Sequence, residues 1–110
     1  MNEKNIKIGD KEYTLAMNRE SIKWLEANGF SLDDLGRKPV TCYELLWISL
    51  FRANHKDVNP NLAIKLMETY QSSGEKPGNI VKFAIDEYNS FLSALADIDL
   101  EENKQKTTNN

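Results

Sequence analysis

Only a few side chains in this 110-residue chain have types suited to chemistry, and each is first weighed for what it could do. His55 is the single histidine, and its neighbours Asn54, Lys56 and Asp57 place it in a polar connector with no second ligand three or four residues away. A metal site or a thiol–imidazole pair needs partners at such spacings. Cys42 is the single cysteine. A helix N-terminus would favour its thiolate, but its apolar neighbourhood disfavours it, so it reads as a buried structural thiol. The acid pairs Asp33-Asp34, Asp86-Glu87 and Glu101-Glu102 are adjacent in sequence. Neighbours on a helix point about 100° apart, so these carboxylates do not converge on a substrate. The stretch Gly74-Glu75-Lys76-Pro77-Gly78 lacks the Lys-Ser/Thr ending and the preceding strand of a phosphate loop, and reads as a helix-to-helix connection. These residues predict a protein without an active site, cofactor or metal.

The elements around them follow from periodicity. Ile6 and Ile8, then Tyr13 and Leu15, alternate with polar residues on either side of Gly9-Asp10, which predicts a β-hairpin over about residues 5–16. An isolated two-stranded ribbon is marginal in water, so helices must cover its apolar face. Asn18 is a candidate N-cap for a helix running to Asn28, with Gly29 in position to end it and Ser31 able to cap a further turn. Thr41 and Glu44 have capping-box spacing and open an apolar segment in which Tyr43, Leu46, Trp47, Leu50 and Phe51 repeat at helical spacing. Cys42, Leu45 and Ile48 fall on its other side, which predicts a central helix buried nearly all round.

Asn59-Pro60 starts another helix, with Leu62, Ala63, Leu66, Met67 and Tyr70 on one face. Asn79 is positioned to cap a last helix from Ile80 to about Asp97, whose inward face holds Val81, Ala84, Ile85, Tyr88, Leu92 and Leu95. The expected fold is therefore mainly α with a short N-terminal hairpin. Four to five helices pack around the apolar central one in a single domain over residues 1–98, and residues 99–110 form a disordered polar tail.

Composition narrows the partners. The formal net charge is -3, and the one basic pair is Arg37-Lys38, so no stripe of positive charge is offered to nucleic acid. A helix-turn-helix reading of the region around Asn54 to Asn61 fails on its long, acidic connector and on Lys65 as the lone basic contact of the following helix. No signal peptide or membrane span is expected, and a lone cysteine suits a reducing cytoplasm. The large apolar residues least explained by one core stripe are Trp24, Leu45, Ile48, Phe83 and Phe91, which become the candidate protein-contact residues.

The opening Ile6-Lys7-Ile8-Gly9-Asp10-Lys11-Glu12-Tyr13-Thr14-Leu15 resembles the I-x-I-G-G-K-x-Y-x-L hairpin of the tail assembly chaperones of long-tailed (siphovirus-type) bacteriophages infecting Gram-positive hosts. Gly29-Phe30-Ser31-Leu32-Asp33-Asp34-Leu35, the apolar central helix, Asn59-Pro60-Asn61-Leu62 and the final helix extend the resemblance over roughly Ile6 to Leu95. The turn departs from the family's double glycine, and either pair suits a type I′ turn. The resemblance implies a protein of the host bacterial cytoplasm that binds the tape measure protein, keeps it soluble, helps recruit tail tube subunits, and is absent from the mature virion. It also implies a homo-oligomer and a longer frameshift product diverging within the tail. The alternative is a small phage or prophage regulatory or adaptor protein that occupies a groove on a host or phage protein.

Overall fold

A computed structural model describes the backbone of residues 2–108 and the side chains of residues 2–96. Its elements run β1 (Glu3–Ile8), β2 (Lys11–Ala16), α1 (Arg19–Ala27), a 3-10 turn (Leu32–Asp34), α2 (Pro39–Phe51), α3 (Pro60–Ser72) and α4 (Pro77–Thr108). This is the mainly helical α+β fold expected from the sequence, with an antiparallel hairpin at its N-terminus. Helix α4 runs on to Thr108, past its expected end near Asp97 and through most of the expected disordered tail at 99–110, whose side chains lie outside the described residues.

The hairpin pairs Ile6 with Tyr13 and Ile8 with Lys11, which puts Ile6, Ile8, Tyr13 and Leu15 on one buried face. Gly9 takes a positive φ of 62° and no other residue of the turn does. A glycine-first pattern belongs to type II′, so the expected type I′ geometry, which needs positive φ at both central positions, is not formed.

Helix α1 is closed at both ends by its own residues. The Asn18 side chain accepts from the Ser21 amide at 2.9 Å, and the Asn18 amide donates to the Ser21 hydroxyl at 3.2 Å. At the other end Gly29, at φ 77°, lets the Phe30 amide donate back to the Leu25 carbonyl at 3.0 Å. That is the Schellman arrangement, and it delivers Phe30 into the core edge-on to Tyr88, with ring centroids 5.3 Å apart.

Helix α2 begins three residues earlier than its Thr41-Glu44 spacing predicts. Pro39 supplies a preset φ at the first helical position, so Thr41 falls inside the helix and the expected capping box is replaced by a start at Lys38 without any side-chain cap. Burial along α2 is uneven. Leu46 through Phe51 are all buried, as a helix buried nearly all round requires, whereas Val40 is 69% and Tyr43 44% exposed, so that expectation fails in the first turns. Trp47 anchors the enclosed half: its indole N–H donates to the Ala63 carbonyl of α3 at 2.7 Å, and its ring lies against Phe51 and Tyr70. Full burial of side chains this large contributes about 1.5–3 kcal/mol each.

The segment after α2, expected to be a polar connector, is a brace. His55 Nε2 accepts from the Thr14 amide at 2.9 Å, and the Asn54 side-chain amide donates to the Thr14 carbonyl at 3.2 Å. The open edge of β2 is thereby satisfied by side chains where a third strand would otherwise pair. Val58, 1% exposed, plugs the core beneath, and the Arg52 guanidinium donates to its carbonyl.

Helix α3 starts as expected, with the Asn59 side chain accepting from the Leu62 amide at 2.8 Å and Pro60 next in line. Leu62, however, is 40% exposed and does not share the buried face of Ala63 and Tyr70. Helix α4 starts at Pro77, ahead of the expected Asn79 cap, and buries Ile80, Val81, Ala84 and Tyr88.

Candidate functional site

The five residues singled out as protein contacts are placed in separate surroundings. Ile48 is 5% exposed and belongs to the core. Leu45, Trp24, Phe83 and Phe91 are half-buried and pack against that core. Trp24 faces a shallow depression shared with Glu20, Lys23, Arg52 and Lys56, where Lys56 is ion-paired to Glu20 at 3.0 Å. Phe91 lines a different groove between α1 and α4, with Ile22, Leu92, Leu95, Arg19, Lys23 and Glu26. Phe83 sits under Lys4, whose ammonium is 6.0 Å from the ring centroid. The sequence therefore located apolar surplus, but the fold distributes it over several faces.

One depression brings three helices together. The first turns of α2 contribute Val40, Tyr43 and Glu44, α3 contributes Ile64, Met67, Glu68 and Gln71, and the start of α4 contributes Pro77, Gly78 and Val81. Val81 forms its floor, while Val40 and Tyr43 stand exposed on its wall. Among the described residues that line the groove, the charged ones are the carboxylates Glu44 and Glu68, and none is a lysine or arginine. Sequence reasoning missed it because Tyr43 falls in helical register with Leu46, Trp47 and Leu50 and was assigned to their buried stripe. Pro39 was the usable signal: a helix begun there pushes Val40 and Tyr43 out to an unprotected first turn.

The potentially reactive groups are held quiet. Cys42 is 2% exposed, and burial pushes its thiol above the ordinary range, with the Asp34 carboxylate adding to the effect and Lys38 opposing it. A disfavoured thiolate is a poor nucleophile. The phenols of Tyr70 and Tyr88 are also raised, first by burial and then by Glu75 and Glu26 respectively. Asp34 is lowered chiefly by the hydrogen bond from Arg37. The imidazole of His55 is engaged with Thr14 and packed edge-on against Tyr13 and Phe51. Among the described residues no group of three or more His, Cys, Asp or Glu is arranged to hold a metal ion, and no helix is long and apolar enough to cross a membrane.

No curated protein and no solved structure matches the chain. A family model described as a domain of unknown function, DUF5055, matches residues 2–110, which is nearly the whole sequence, and the chain belongs to that family.

Proposed function

We propose that this protein works by binding another protein and performs no catalysis, and that it is a phage tail assembly chaperone that holds the tape measure protein soluble and helps recruit tail tube subunits during tail morphogenesis. The observation that carries the binding part is the open apolar groove among α2, α3 and α4, left beside a core that Trp47, Phe51 and Leu46 already fill. A domain that has closed its core and still exposes Val40 and Tyr43 side by side on one groove wall carries apolar surface it does not need for folding. The chaperone part rests on the likeness of the Ile6–Leu15 hairpin and of the element order to tail assembly chaperones. The protein would act in the host bacterial cytoplasm and be left out of the finished tail.

Co-expression with a phage tape measure protein tests the reading. The expected result is a soluble complex that co-purifies, where the tape measure protein alone precipitates. Recovery of a host regulator in place of any virion protein would favour a regulatory adaptor, and a tape measure protein that precipitates regardless would end the chaperone reading.

A further inference from the structure

We infer that the groove among α2, α3 and α4 is the docking site for a short amphipathic helical segment of the partner, one that presents an apolar row flanked by lysine or arginine. The inference rests on the protein being a binder, though not on which client it serves.

The charge of the occupant follows from the lining. Glu44 and Glu68 border an otherwise uncharged surface of Val40, Tyr43, Ile64, Met67 and Val81. Neither carboxylate is within ion-pair distance of a basic side chain among the described residues. A docked segment carrying Asp or Glu would place like charges together in a partly desolvated site, whereas the aliphatic stems of Lys or Arg can lie along apolar walls and deliver their heads to the two acids. The conformation of the occupant follows from the walls. All three walls are helices, and apart from the first-turn amides of α2 and α4 their backbone groups are spent internally, so an extended segment would find no strand edge along which to pair its amides and carbonyls. A helix brings its backbone already satisfied and needs only side-chain contact. The groove, of about 400 Å³, lies toward the small end of ligand-sized cavities, so it takes two or three anchoring side chains and not an enclosed molecule. Tyr43 is the residue type that dominates such contacts, and Met67 has the adaptable side chain that lets one groove accept different apolar anchors.

The test uses the full chain and two synthetic peptides of about 15 residues, long enough to form a helix on contact. Both carry leucine at positions i, i+3, i+4 and i+7, one with flanking lysines and the other with glutamates in their place. Amide chemical shifts are followed during titration. The lysine peptide is expected to perturb Val40 to Glu44, Ile64 to Glu68 and Gly78 to Val81, and to bind at least about tenfold more tightly than its glutamate twin, with the preference shrinking in salt. The double substitution Glu44→Lys, Glu68→Lys should invert the preference while leaving the thermal midpoint close to that of the wild type. Equal affinities, shifts confined to the Phe91 groove, or no binding at millimolar peptide would each overturn the proposal. The two readings separate cleanly. A double variant that still holds the tape measure protein soluble removes the groove and keeps the chaperone, and peptide discrimination with a precipitating tape measure protein does the reverse.

Discussion

The two halves of α2 are built from similar residues and meet opposite fates. Leu46, Trp47, Leu50 and Phe51 are sealed between the hairpin, α1, α3 and α4, while Val40 and Tyr43, two turns and one turn earlier on the same helix, face solvent across a groove. Apolar character alone does not decide burial; the position of neighbouring elements does. Around Trp47 every direction is occupied, by Ala63 and Tyr70 of α3 and by Phe51 within the helix. At Tyr43 the start of α4 and the flank of α3 stand apart and leave a gap. The enclosed half holds the domain together, and the open half is free to be used.

The contrast is broken most directly by truncating one aromatic in each half. Trp47→Ala should cost about 3–5 kcal/mol, from lost burial plus the cavity left behind. Tyr43→Ala should stay within about 0.5 kcal/mol, as exposed substitutions do. Urea unfolding of both variants measures this, and comparable losses would show that the first turns of α2 are structural after all.

How much of this could be read beforehand depends on whether a feature is local. The hairpin face, the Asn18 and Asn59 caps and the Gly29 stop were legible because each depends on residues within a few positions. The exposure of Tyr43 and Leu62 was not, since helical register gives the face of a helix but not whether a partner covers that face at each turn. His55 was misjudged for the same reason. Its polar neighbours describe a connector, whereas its bond partner Thr14 lies 41 residues away. The groove needed three helices to be placed before it existed at all.

The His55 brace yields the next largest effect. His55→Ala removes the acceptor from the Thr14 amide on a part-buried edge, with an expected cost of about 1–3 kcal/mol. Hydrogen exchange at Thr14 should rise in the variant more than at Leu15, which belongs to the fully buried face. An unchanged Thr14 exchange rate would mean the hairpin edge is protected by something other than the imidazole.

At alkaline pH the enclosed region should fail before the open one. Tyr70 and Tyr88 have folded-state pKa values raised above the unfolded value, so their contribution is complete below about pH 10 and is lost as pH rises through the raised values. Spectrophotometric titration should show the Tyr70 and Tyr88 phenols ionising above the ordinary tyrosine range, together with loss of structure, and the double substitution Tyr70→Phe, Tyr88→Phe should push that loss to higher pH. Ionisation of both phenols in the ordinary tyrosine range would contradict it.

The smallest effect belongs to the turn just ahead of the open half. Asp34, paired with Arg37, has its folded-state pKa lowered, chiefly by the hydrogen bond from that guanidinium. Its contribution is therefore present above the ordinary carboxylate pKa and is lost as pH falls through the lowered folded value. The Arg37 side chain is 73% exposed, and ion pairs so open to water are screened until little remains. Arg37→Ala should return the Asp34 carboxyl toward its ordinary titration, seen in its side-chain carbon shift, while the melting temperature hardly moves. A clear loss of stability would mean that this turn, and not Pro39, sets where α2 begins and so how far Val40 and Tyr43 are held out into the groove.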